Sequence, residues 1–169
     1  MPSNEAITFC GELMNWAASS TISERIKSAM DTNAQWEIWL QVELAIYLKS
    51  KSGLVVREQN YDASRKSLDI LCKLNTRGYA IELKAESLKT GLTSGMTMVQ
   101  ALLSDKSKLE ENPLVKTLIS FGCNSLTSLV IGIGSISNHR QTALEILSET
   151  QAFILSFKDD FGLYILIME

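Results

Sequence analysis

Ser67-Leu68-Asp69-Ile70-Leu71-Cys72 and, a short turn later, Tyr79-Ala80-Ile81-Glu82-Leu83-Lys84 decide how this chain is read. Both runs have the apolar character of buried strands, and Asn75-Thr76-Arg77-Gly78 supplies the turn between them. Into these strands the sequence sets an aspartate, a glutamate and a lysine. Charged side chains are rare in apolar strands unless they are paired or bind a metal. Alternation along a strand puts Glu82 and Lys84 on one face, Ile81 and Leu83 on the other. If the two strands pair across the turn, Asp69 approaches Glu82. Two carboxylates at close range repel, and one pKa rises unless a cation sits between them. Their oxygen donors suit magnesium or manganese. Lys84 beside them would stabilise developing negative charge or orient a water. This chemistry fits hydrolysis of a phosphodiester.

Outward from the pair, Leu54 to Gln59 reads as a preceding strand and residues 60–66 as a polar loop. Upstream, the periodicity predicts a helix over 5–18, and Thr21-Ile22-Ser23-Glu24 fits a capping box opening a second helix that ends near Met30. Asp31-Thr32-Asn33 offers caps for a third helix over about 33–51, with Gly53 as its terminator. Downstream come a Gly/Ser/Thr-rich loop (90–95), a helix from about Met96 to Glu111, a short helix over 114–121 and a buried strand, 128–134. Asn138 to Thr150 reads as a helix, and residues 153–157 and 163–168 as closing strands joined by a turn at 158–162. The expected fold is α/β (α+β): a mixed central sheet flanked by helices, with the order α-β-β-β-α-β at its core. One domain of 169 residues is long enough for a real core. Within it, 1–32 reads as a helical extension, 33–134 as the core and 135–169 as a closing helix and strands.

The composition, 46% hydrophobic and 21% charged, is that of a globular protein. No apolar run reaches the roughly 18 residues of a membrane span, and Met1 to Cys10 lacks the pattern of a signal peptide, so a cytoplasmic location is expected. Three scattered cysteines, Cys10, Cys72 and Cys123, argue against a disulfide framework or a zinc knuckle. His139 reads as a solvated loop or helix-start residue. The net charge of −3 does not announce a nucleic-acid binder, but its distribution is uneven. Residues 49–77 hold 7 basic and 3 acidic side chains, whereas the segments before and after are acidic. Lys51, Arg57, Arg65 and Lys66 of this basic stretch are the candidates for contact with a phosphate backbone.

On a helical wheel with Trp36 at 0°, Glu43 falls at about 340°, between Trp39 and Leu40, while Glu37 (about 100°) and Gln41 (about 140°) lie nearer the edge. Glu43 therefore reads as a carboxylate embedded in the apolar stripe and in need of a partner such as a metal, Lys84 or a backbone amide.

A helix with an embedded glutamate, a strand, an aspartate strand, Glu-x-Lys on the next strand, then a helix and a strand, resembles the PD-(D/E)xK, or restriction-endonuclease-like, nuclease superfamily. The resemblance spans about 33–134 and centres on Glu43, Asp69, Glu82 and Lys84. It implies a magnesium- or manganese-dependent endonuclease, with Asp69 and Glu82 as metal ligands, Lys84 as catalytic lysine and Glu43 as an additional ligand. DNA is the expected substrate. Gln100 and Lys106, on the helix after the third strand, become auxiliary candidates. The sequence departs from the pattern at Leu68, where many members have proline. A protein partner and a homodimer both stay open. So does a different class, a non-catalytic interaction, immunity or regulatory protein on the same fold. A third reading makes Glu82 and Lys84 a plain ion pair within a strand.

Overall fold

The computed structural model describes residues 1–32, 36–51, 54–87, 92, 95–135, 139–157 and 160–169, and the backbone but not the side chain of Glu149. Asn33, Gly53, Asn138, most of the 90–95 loop and part of the 158–162 turn lie outside the described residues. The order is α1 (Asn4–Ala18), α2 (Ser20–Met30), α3 (Trp36–Lys51), β1 (Leu54–Asn60), β2 (Ser67–Leu74), β3 (Arg77–Ala85), α4 (Met98–Glu111), α5 (Val115–Ser120), β4 (Ser125–Ser135), α6 (His139–Glu149), β5 (Ala152–Ser156) and β6 (Phe161–Met168). The expected mixed α/β architecture is present. No helix among the described residues is long and apolar enough to cross a membrane.

The six strands form one sheet in the order β1-β2-β3-β4-β6-β5. β1, β2 and β3 form an antiparallel meander. β4 lies parallel to β3, and β6 and β5 complete the sheet antiparallel. A parallel neighbour needs a long crossover, and α4 and α5 supply it. The β2–β3 hairpin is tighter than the sequence suggests: Leu74 pairs with Arg77, and Asn75, at φ 55°, carries the left-handed turn.

Period-two alternation sorts the sheet into two faces. Ile70, Cys72, Tyr79, Ile81, Leu83, Leu129, Ile131 and Ile133 pack with α1, α2 and α3. Leu71, Ala80, Val130, Tyr164 and Leu166 face α4 and α6. The sheet is therefore a middle layer, buried on both sides, which explains why β4 and β6 read as near-continuous apolar runs.

Helix boundaries correct one capping expectation. The box at Thr21 does not form. α1 and α2 are separated only by Ser19, which ends one helix and begins the next, and Thr21 is already inside α2. A full capping box forms instead at Thr97 and Gln100, where each residue's side chain bonds the other's backbone.

α4 sits close to the sheet because β4 offers glycine beneath it. A Cβ at Gly132 would come within 2.8 Å of Leu102 Cδ2 and 3.0 Å of Met98 Sδ. Gly132→Val should therefore push α4 outward and cost about 1–3 kcal/mol of stability. Urea denaturation measures this, and an unchanged midpoint would contradict the packing described.

Candidate functional site

The β2–β3 ladder runs from Leu74/Arg77 to Ile70/Ile81 and stops there. At the next position the Asp69 side chain takes over from the backbone. Its Oδ2 accepts the amide of Leu83 at 2.6 Å, and its Oδ1 accepts Gln41 Nε2 of α3 at 2.9 Å. Gln41 is itself buried, and its Oε1 accepts Arg57 Nη2 of β1 at 3.1 Å.

From β3, Glu82 and Lys84 project toward α4, as alternation predicts. Glu82 is 1% exposed. Its Oε1 accepts the Tyr61 hydroxyl at 2.6 Å and Lys108 Nζ of α4 at 2.7 Å. Lys84 Nζ lies 3.2 Å from Asp105 Oδ2 of α4 and 3.9 Å from Glu37 Oε1 of α3. The Asp105 carboxylate is buried, with the Lys84 ammonium as its ionic partner. Glu37 Oε2 accepts the amide of Ala85 at 3.2 Å.

Four carboxylates, Glu37, Asp69, Glu82 and Asp105, thus meet at one end of the sheet, near the carboxyl end of the parallel strand β3. All four have raised pKa values, and burial is the largest cause in each. Glu82 is pushed up to about 7 by burial and then by the negative charge of Asp69. Asp69 and Glu82 are the next positions in register beyond the Ile70/Ile81 pair. For Lys84, burial favours the neutral amine, but Asp105 and Glu37 outweigh it and hold the ammonium above its ordinary range. Tyr61 is also raised, by burial and by its bond to Glu82.

The structure thus brings Asp69, Glu82 and Lys84 together. It does not bring Glu43, which pairs with Arg25 of α2 and faces away from the cluster. The reason lies in α3. Its core face holds Trp36, Leu40, Gln41, Leu44 and Leu48, an arc centred near 80° on the wheel above. Glu37 lies inside that arc and Glu43 beyond its edge. The second apolar stripe, containing Trp39, is covered by α2, with Arg25 stacked 5.4 Å over the Trp39 ring.

The remaining candidates divide. Arg65 and Lys66 are exposed on the β1–β2 loop, at the same end of the sheet as Asp69. Arg57 turns inward to Gln41 instead of outward to solvent. Lys51 lies at the far end of α3 from Glu37, about 20 Å along the helix, paired with Glu12 at 3.6 Å. The Gln100 side chain is spent on the Thr97 amide at 3.0 Å. Lys106 pairs with Glu110 at 2.6 Å along one flank of α4. Sequence reasoning passed over Gln41, Tyr61, Asp105 and Lys108. For Asp105 a signal was present: Met98, Ala101, Leu102 and Leu109 form its helical stripe, and Asp105 falls within it.

No family model, curated protein or solved structure matches this chain. Among the described residues, no group of three or more His, Cys, Asp or Glu side chains is arranged to hold a metal ion. The donor chemistry nevertheless fits a hard divalent cation. Each Asp69 oxygen has accepted one hydrogen bond, Glu82 Oε2 accepts none among the described residues, and Asp105 Oδ2 faces the Lys84 ammonium.

The raised pKa of Glu82 carries a definite sign. Its ordinary value is 4.5 and its folded value about 7, so between these the folded state holds a proton that the unfolded chain releases. Stability from this group is full below pH 4.5 and lost as pH rises through about 7, a fall of about 3 kcal/mol. Urea titrations across that window should show the fall in the wild type and a flatter profile in Glu82→Gln. Parallel profiles would contradict the environment described.

Proposed function

We propose that this protein is a divalent-metal-dependent nuclease that hydrolyses phosphodiester bonds, with DNA as substrate and a core of the restriction-endonuclease type. The observation that carries the reading is the meeting of Asp69, Glu82 and Lys84 where β2 and β3 part, with Glu37 supplied by the preceding helix. Glu37 replaces Glu43 as the helix carboxylate. The α3-β1-β2-β3-α4-α5-β4 order, with α5 as a short addition to the crossover, supports the same reading.

Asp69 and Glu82 would hold magnesium or manganese, with Glu37 as the auxiliary carboxylate. Bound there, the ion supplies Lewis-acid polarisation of a phosphate oxygen and a water of lowered pKa. The protein's own part is positioning and charge. Leu83 and Gln41 fix the Asp69 carboxylate through both oxygens. Lys84, kept charged by Asp105 and Glu37, is suited to stabilise the negative charge that builds on the phosphoryl oxygens and not to abstract a proton. Arg65 and Lys66 stand at the mouth of this end of the sheet for the flanking backbone. Work in the cytoplasm, as a homodimer or with a protein partner, is compatible with this reading.

One observation favours the second reading, a non-catalytic interaction or immunity protein: Glu82 is almost fully buried and already satisfied by Lys108 and Tyr61. A single experiment separates the two. Plasmid and single-stranded DNA incubated with manganese should be cut, and chelation should abolish the cutting. Lys84→Ala should lower the rate by roughly 10²–10³-fold, and Glu37→Gln should lower it clearly more than Glu43→Gln. Absence of cleavage together with absence of manganese binding would replace the nuclease by the interaction protein.

A further inference from the structure

Helix α4 sets a second pair of charges against the pair on β3. Asp105 and Lys108 lie three residues apart, within one helical turn of each other. Asp105 faces Lys84, and Lys108 faces Glu82. The signs are crossed, so each β3 charge meets its opposite on the helix.

The two contacts differ in kind. Asp105 holds a lysine that the proposed chemistry needs as a cation. Lys108 puts an ammonium on a carboxylate that the proposed chemistry needs for a metal. Its Nζ is 2.7 Å from Glu82 Oε1 and 5.7 Å from the centre of the Tyr61 ring. Its charge is felt by Asp69 and Asp105 as well as by Glu82, and in each it favours the ionised form. One ammonium, in contact with Glu82, therefore acts on three carboxylates that come from three different elements. Its side chain is 23% exposed, against 2% for Glu82, so the lysine has a path to solvent that the glutamate lacks.

We propose that Lys108 is the resident cation of the metal-free site: its ammonium neutralises Glu82 until a divalent ion displaces it. The inference rests on the proposed metal site and adds a competitor within the chain. A buried carboxylate cluster without a cation repels itself, and Lys108 relieves that repulsion at the cost of metal affinity. An ordinary structural ion pair predicts the reverse, because losing it would loosen the site and weaken metal binding.

Manganese binding, followed by the electron paramagnetic resonance of the free ion, tests this on the full chain at pH 7.5. Lys108→Met should bind manganese at least tenfold more tightly than the wild type. Lys106→Met, on the opposite flank of the same helix and paired with Glu110 instead, should stay within twofold of it. Equal or weaker binding by Lys108→Met overturns the inference and leaves the metal site standing. Failure of every protein to bind manganese at 10 mM ends the nuclease reading and this inference together. If Lys108→Met does not fold, the wild type carries the test. Its Lys108 ammonium, slowed in exchange by Glu82 and visible by nitrogen-15 NMR, should lose that protection on saturation with magnesium. A signal unchanged at saturation overturns the displacement.

Discussion

The hydrogen bond from the Leu83 amide to Asp69 Oδ2 is the constraint on which the site depends. A buried strand amide must have a partner. In a regular hairpin that partner is a carbonyl of the neighbouring strand, and the ladder leaves no room between strands. Here the acceptor is a side chain at 2.6 Å, and the β2–β3 pairing ends at Ile70/Ile81. The substitution satisfies the amide and parts the strands in the same step. It also fixes the carboxylate, since Gln41 holds the other oxygen and Arg57 holds Gln41. Replacing this arrangement with an ordinary ladder would keep the fold and erase the site.

Charge accounting explains why the cluster is costly to keep. Glu37, Asp69, Glu82 and Asp105 face Lys84, Lys108 and Arg57, with Arg57 reaching the cluster through Gln41. Buried ions are tolerated when paired and hydrogen-bonded, and breaking such a set is expensive. Burial raises the pKa of all four carboxylates by more than the nearby cations lower it. A set chosen only for stability would be apolar or evenly matched. Four buried carboxylates with raised pKa values, gathered about two lysines, are the physical reason to read the cluster as functional.

The strands were legible because their signal is local. Alternation in Tyr79 to Lys84 gives the face of Glu82 without any tertiary information, and the apolar runs of β4 and β6 declare a sheet covered on both sides. The register of α3 was not legible in the same way. Trp36, Trp39, Leu40 and Tyr47 suggest one broad stripe, but the helix is apolar on two faces because α2 covers the second, and only the packing says which face meets the sheet. Tyr61 lay in what reads as a polar loop, and its value comes from reaching Glu82, 21 residues away. The basic stretch from Lys49 to Arg77 misled for a related reason. A sum along the chain is not a patch: Lys51 ends up at the far end of α3, Arg57 turns inward, and only the loop residues Arg65 and Lys66 remain exposed at the site's end of the sheet.

Packing and chemistry meet at α4. The glycines of β4 let this helix approach: a Cβ at Gly132 would strike Leu102, and one at Gly134 would lie 2.8 Å from Glu86 Oε2 and 3.1 Å from Met98 Cε. Short side chains under a helix are ordinarily a cost, because glycine loses the most entropy on folding and buries the least surface. Here they lower α4 until Asp105 and Lys108, in the same stripe as Leu102 and Leu109, reach the charges on β3. Larger residues at 132 and 134 would lift the helix and lengthen both ion pairs, while the aliphatic contacts could re-form at the new height. Apolar packing tolerates such a shift more readily than an ion pair among buried carboxylates, whose geometry has to be held closely to offset desolvation. The closeness of α4 to the sheet is therefore better explained by the charges it must hold than by the core it covers.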